Sequence, residues 1–179
     1  QLLRWRADDP DGDPLVYRLA YRAEDGTTWV PLHRDQPVGG AEYLWNTESV
    51  PDGRYVVRVE ASDEAANAEE RALRDARESA PLYVDHRKPE VALEAARDGG
   101  ALRVKGRATD ALSPIARLEV SVDGGDWRAL FPVDRIFDAR VEAFEFAPGD
   151  LPPGAHVVTV RAVDVENNVG SAALTVTVP

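Results

Sequence analysis

A pattern that occurs twice, about 100 residues apart, constrains this chain more than any other feature. Residues 43–63 align with residues 144–164 without a gap. The coinciding positions include Trp45 with Phe146, Val50 with Leu151, Gly53 with Gly154, Val57 with Val158, Val59 with Val160 and Asp63 with Asp164. The sequence therefore predicts one domain architecture built twice.

Within each copy, apolar residues recur at every second position. Val57, Val59 and Ala61 would face one side of a strand, with Arg58 and Glu60 on the other. This alternation is typical of antiparallel strands that bury one side. Gly, Pro and Asp interrupt the strands at residues 11–12, 25–26, 51–53, 99–100, 123–124 and 153–154. We therefore predict an all-β chain of two tandem immunoglobulin-like β-sandwiches.

The boundary between the two copies is predicted near residues 83–91, because Pro89 favours an extended turn after a strand. We expect one domain at residues 1–86 and a second at residues 87–179. The first domain offers about six strands, and the initial strand of the fold is expected to be missing from it. The chain begins at Gln1 without Met, so we expect a fragment or a processed form of a longer protein. Residues 68–77 are predicted as a short, exposed helix.

The charge balance limits the partners that this chain can bind. Acidic residues outnumber basic ones by 32 to 21, which gives a net charge of −11. Nucleic acids and anionic lipids are bound through Lys and Arg, so neither is expected as a partner. No apolar run approaches the roughly 18 residues of a membrane span, so membrane insertion is not expected either. The absence of Cys excludes disulfides, thiolate catalysis and zinc–cysteine sites.

Several segments resemble known domain families. Leu3–Ala7 and Asp9–Tyr17 are similar to the second and third strands of a fibronectin type III domain, and Val50–Tyr55 resembles the tyrosine corner before its sixth strand. Ala162–Gly170 resembles a strand end of bacterial immunoglobulin-like domains, although His156 replaces the tyrosine there. The pair resembles the C-terminal tails of secreted bacterial multidomain proteins. This resemblance implies a secreted, periplasmic or cell-surface location.

The densest acidic cluster contains Asp9, Asp11 and Asp13 around a glycine. Calcium prefers several carboxylate oxygens on such a loop, so these three residues are candidate calcium ligands. An EF-hand loop would also need Glu at its twelfth position, which is Ala20 here. Asp, Gly and Pro also form ordinary tight turns, and the turn interpretation is favoured over the calcium one. No other cofactor is expected.

Two tryptophans at matching places, Trp29 and Trp127, each follow a predicted hairpin turn. An exposed indole can stack on a sugar ring, so both are candidates for polysaccharide binding. The favoured alternative is that each ring covers the edge of its own core. Trp5 and Trp45 are predicted to be core residues.

The remaining polar residues do not suggest an enzyme. The histidines at positions 33, 86 and 156 are scattered, without the close spacing of a zinc pair. Glu142 and Glu145 could imitate the two carboxylates of a glycosidase, but we expect a solvated strand edge there. Asp63 with Asn67, and Asp164 with Asn167 and Asn168, are predicted to bond nearby backbone at strand ends.

Together these patterns predict a non-catalytic structural or interaction module of an exported bacterial protein, which spaces, docks or adheres. Its partners would be neighbouring domains of the same protein or other protein chains. The alternatives are a carbohydrate-binding accessory domain and an adhesion module rigidified by calcium.

Overall fold

The computed structural model describes residues 1–33, 36–98 and 101–179, and the described residues form strands and turns without a helix. The strands are β1 Leu2–Arg4, β2 Val16–Ala23, β3 Val30–Pro31, β4 Glu42–Leu44, β5 Gly53–Ser62, β6 Arg74–Glu78, β7 Leu82–Val84, β8 Glu90–Asp98, β9 Ala101–Thr109, β10 Ile115–Val122, β11 Arg128–Leu130, β12 Val141–Phe146, β13 Gly154–Asp164 and β14 Val169–Val178. The chain divides into two compact units, Gln1–Val84 and Asp85–Pro179. The predicted turn at residues 99–100 lies outside the described residues. Across the described ranges, no helical segment has the length and apolarity needed to cross a membrane.

Unit 1 consists of two antiparallel sheets. The first pairs β1 with β4, and the second has the order β3-β2-β5-β6, with β7 pairing the beginning of β5. Apolar side chains from both sheets enclose one core, which contains Trp45, Val50, Tyr55, Val57 and Val84. Trp45 is therefore a core residue, as predicted. Trp5 is only half-buried and contacts Tyr17 edge-to-face, with ring centroids 5.1 Å apart.

The short helix predicted over residues 68–77 is wrong. Only one turn forms at its start, where the amides of Arg71 and Ala72 donate to the carbonyl of Ala68. The chain then reverses because the Asp63 carboxylate accepts a hydrogen bond from the Leu73 amide at 2.7 Å. Residues Arg74–Glu78 continue as the edge strand β6, paired with β5.

Unit 2 repeats this architecture with one strand more in its first sheet. That sheet has the order β12-β9-β8, and the second has the order β11-β10-β13-β14. The pairs β9–β12 and β10–β13 correspond to β1–β4 and β2–β5 of unit 1. The alternation predicted for residues 57–61 is less regular in β5, because Val56 and Val57 are both buried. It is clear in the aligned strand β13, where Val158, Val160 and Ala162 are fully buried. Both units are immunoglobulin-like β-sandwiches, so the predicted fold class is confirmed.

A side-chain hydrogen bond to the chain four residues earlier closes the same corner in both units. In unit 1 the Tyr55 hydroxyl donates to the Pro51 carbonyl at 2.7 Å, which confirms the predicted tyrosine corner. In unit 2 the ring of His156 takes this place, with Nε2 lying 2.8 Å from the Pro152 carbonyl oxygen. The second ring nitrogen, Nδ1, lies 2.7 Å from Asp123 Oδ2. His156 thus makes the same main-chain contact as Tyr55 and also pairs with the Asp123 carboxylate.

This corner predicts a pH-dependent stability for unit 2. Both ring nitrogens of His156 face acceptors, so only the doubly protonated imidazolium satisfies both contacts. The Asp123 carboxylate, followed by the Pro152 carbonyl, raises the pKa of His156 above its ordinary value. A raised folded-state pKa gives stability that is complete below the unfolded pKa of about 6.5 and is lost as pH rises through the folded-state value.

We therefore expect the melting temperature of unit 2 to fall as the pH is raised above about 6.5, until the histidine is neutral. Thermal unfolding followed by hydrogen exchange of β13 peptides would measure this. The control is His156→Tyr, which removes the titrating group while keeping a donor for the Pro152 carbonyl. An unchanged pH profile in that variant would contradict the assignment.

Candidate metal centre

Three buried aspartates converge at one end of unit 2. Asp85 lies just before β8, Asp110 directly follows β9, and Asp164 is the last residue of β13. One carboxylate oxygen from each lies within 4.8 Å of the other two. All three are buried, with 6%, 4% and 1% of their surface exposed. In the part of the chain that the structure describes, this is the group whose side chains could jointly hold a metal ion.

Backbone amides hold each of these carboxylates by one oxygen. In every case the Oδ1 atom accepts from amides two to four residues further along the chain, as in an Asx turn. The donors are Arg87 for Asp85, Leu112 and Ser113 for Asp110, and Glu166 and Asn168 for Asp164, at 2.8 to 3.0 Å. The local turns therefore fix the orientation of the second oxygen in each carboxylate.

The second oxygens are poorly satisfied. Asp85 Oδ2 and Asp110 Oδ2 are buried and have no hydrogen-bond partner. Asp164 Oδ2 accepts from the side-chain Nδ2 of Asn168 at 2.8 Å, and the same Nδ2 also donates to the Asp85 carbonyl at 2.9 Å. The hydroxyl of Ser113 is likewise buried without a partner. Buried polar atoms are almost always paired, so this concentration of orphaned oxygens requires an explanation.

The aspartates predicted from the sequence as calcium ligands have a different arrangement. Asp9 Oδ1 accepts the amides of Asp11 and Asp13 at 2.9 and 3.0 Å, as in an Asx turn. Asp13 Oδ2 accepts from the Asn67 side chain at 2.8 Å. These contacts are those of the turn interpretation, and calcium binding by Asp9, Asp11 and Asp13 remains a prediction.

The backbone hydrogen bonds predicted for the strand-end aspartates are present. Asp63 accepts from Leu73, and Asp164 accepts from Glu166 and Asn168. The convergence of Asp164 with Asp85 and Asp110 was not predicted. The only local signal is an Asp directly beyond a strand, and such a residue is common in turns.

The two tryptophans predicted to stack on sugars lie against arginines. The guanidinium carbons of Arg22 and Arg58 are 5.0 and 4.8 Å from the Trp29 ring centroid. Arg161 lies 4.2 Å from the Trp127 ring, which keeps 39% of its surface exposed. Each indole thus forms cation–π contacts within its own unit.

The pair Glu142 and Glu145 is split between two environments. The solvated strand edge predicted for Glu142 is wrong, because this residue is 97% buried. Its carboxylate accepts the amides of Asp138 and Ala139 at 3.3 and 3.1 Å, which holds the loop before β12. Glu145 lies at the surface beside Arg103 at 3.3 Å. Successive side chains of a strand face opposite sides, so residues three apart also face opposite sides. The carboxylates of Glu142 and Glu145 therefore do not flank a common cleft.

Comparisons with known proteins give structural neighbours only. No protein-family model matches the sequence, and no curated protein matches it. The chain is similar to the fibronectin(III)-like modules of CbhA from Clostridium thermocellum, with 17% identity, a TM-score of 0.45, and coverage of 97% of this chain and 82% of that one. It is also similar to the chicken interferon gamma receptor alpha chain, with 12% identity, a TM-score of 0.33, and coverage of 99% and 91%. In both cases the similarity is one of fold.

Proposed function

We propose that this chain is a non-catalytic structural and interaction module of an exported protein, which spaces or docks the domains beside it. The observation that carries the proposal is that each unit closes a core of its own. Domains with separate cores can fold as independent modules. The net charge of −11 suits a surface that remains solvated outside the cell.

The polar side chains most suited to chemistry are engaged in holding the fold. His156 and Glu142 bind main-chain groups of nearby loops, and the buried aspartates bind the amides of their own turns. A catalytic acid or nucleophile must instead face a space that a substrate can enter. Carbohydrate binding through Trp29 or Trp127 is less well supported, because arginines already occupy ring faces that a sugar would need.

Stretching single molecules between two handles would test this proposal. Two separate unfolding events are expected, each well above the force that extends the handles. At about 3.5 Å per extended residue, the chain released would be about 300 Å for unit 1 and about 330 Å for unit 2, less the folded length. One event releasing the whole chain, or gradual extension without a force peak, would contradict a spacer of two independently folded units.

A further inference from the structure

We propose that Asp85, Asp110 and Asp164 bind a single Ca²⁺ ion, which ties together three segments of unit 2. This inference is independent of the proposed function, because the site would exist whatever role the chain serves. It also differs from the calcium interpretation of the Asp9–Asp13 loop, which belongs to unit 1.

The charge of the cluster is the first reason for the proposal. Three carboxylates lie within 4.8 Å of one another and all are buried, so the ionised cluster carries a formal charge of −3 in a poorly hydrated place. Taking each carboxylate out of water is costly unless an opposite charge compensates it. Arg87 supplies one such charge, with its Nε 4.0 Å from Asp85 Oδ1, but a single guanidinium does not neutralise three carboxylates. A central divalent cation would contact all three carboxylates at once.

The unpartnered oxygens are the second reason. Asp85 Oδ2 and Asp110 Oδ2 are sealed from solvent and accept no hydrogen bond, while their Oδ1 atoms are fixed by backbone amides. Carboxylates held by one oxygen with the other oxygen free have the orientation that metal ligands need. The backbone amide of Ser113 donates to Asp110 Oδ1, and the buried hydroxyl of the same residue offers a further oxygen.

The donor atoms indicate which ion. Every ligand is a hard oxygen, and neither His nor Cys takes part, which favours Ca²⁺ or Mg²⁺ over zinc or copper. Oxygens on opposite sides of Ca²⁺ are about 4.6–5.2 Å apart, given bonds of about 2.3–2.6 Å. Mg²⁺ requires shorter bonds and usually takes one or two carboxylates, so three carboxylates favour Ca²⁺.

Unit 1 contains a natural control for this site. Asp63 aligns with Asp164 at the end of the long strand, and its carboxylate neighbour in unit 1 is Asp13, from the loop between β1 and β2. There the side-chain Nδ2 of Asn67 donates to both Asp13 Oδ2 and Asp63 Oδ2, at 2.8 and 3.0 Å. These two carboxylates are bridged by an amide and need no cation, so calcium should stabilise unit 2 and not unit 1.

The ion would connect both sheets of unit 2. Asp110 follows β9 of the first sheet, Asp164 ends β13 of the second, and Asp85 begins the segment that leads into β8. Because a ligand bound only by the folded state stabilises it by mass action, the unfolding midpoint of unit 2 should rise steadily with Ca²⁺ concentration.

Isothermal titration of the chelator-treated chain with CaCl₂ tests the proposal, with hydrogen exchange following each unit. One Ca²⁺ should bind per chain and slow exchange in β9 and β13, and Mg²⁺ should bind more weakly. Asp110→Asn should weaken Ca²⁺ binding by at least about 10-fold, the lower end of losses for disturbed metal sites. In chelator the same variant should be at least as stable as the parent, because it removes a repelling charge and keeps the Oδ1 acceptor.

Asp13→Asn is the matched control, and it should leave Ca²⁺ affinity unchanged. If Asp110→Asn folds poorly, Asp85→Asn makes the same test from another segment. Absence of binding heat together with identical melting in Ca²⁺ and chelator would overturn the proposal. Full Ca²⁺ affinity in Asp110→Asn and Asp85→Asn would also overturn it, and loss of affinity in Asp13→Asn would move the site to unit 1.

Discussion

Phe144→Ala is expected to lower the unfolding free energy of unit 2 by about 3–5 kcal/mol, the usual loss for a fully buried phenylalanine. Phe144 is 1% exposed and belongs to the unit 2 core. Its ring packs directly over Gly106, where a Cβ atom would be 2.4 Å from Phe144 Cζ and 2.6 Å from the Ala92 carbonyl oxygen. Because the strand beneath the ring has no side chain to move into the gap, the cavity should remain open.

Hydrogen exchange of β9 and β13 in the intact chain would measure this loss, since both strands belong to unit 2 and should open only on global unfolding of that unit. Phe131→Ala is the matched control, because Phe131 is 59% exposed and its truncation should change stability by no more than about 0.5 kcal/mol. Equal effects of the two variants would mean that the unit 2 core is not organised around Phe144.

The architecture could be predicted from the sequence because period-two alternation and turn residues occur in both copies. Val158 and Val160 are buried and Val157 is exposed, as alternation requires. The prediction failed where this signal is absent. All five residues of β6 are exposed, so Arg74–Glu78 shows no apolar alternation that would distinguish a strand from the predicted helix. An edge strand held mainly by its backbone pairing leaves little trace in side-chain patterning.

The aspartate cluster could not be predicted for a different reason. Asp85, Asp110 and Asp164 each occur beside a strand end, where an Asp ordinarily forms a turn. Their convergence depends on β9 and β13 lying in opposite sheets and on how the chain before β8 returns to that end. In the Asp9–Asp13 cluster, whose acidic residues are close together in the sequence, the carboxylates instead accept hydrogen bonds from amides of their own turn and from the Asn67 side chain. Proximity along the chain was therefore a poor guide to proximity in space.

Gly170→Ala should destabilise unit 2 strongly. A Cβ atom at this position would lie 1.7 Å from the Pro89 carbonyl oxygen and 2.7 Å from its carbon. Both are main-chain atoms, so no side-chain rotation can relieve the overlap. Either β14 or the segment before β8 must move, and we expect a loss of about 3 kcal/mol, at the upper end of the range for overpacking.

The same substitution should weaken Ca²⁺ binding, and this makes it a joint test of packing and of the metal centre. Asp85 lies four residues before Pro89, so displacing Pro89 should draw its carboxylate away from Asp110 and Asp164. Calcium titration and hydrogen exchange of Gly170→Ala should show both losses together. Gly39→Ala is the control, because a Cβ atom there would have no neighbour within 4 Å and both properties should be unchanged. Normal stability in Gly170→Ala would contradict the packing of the Pro89 segment against β14.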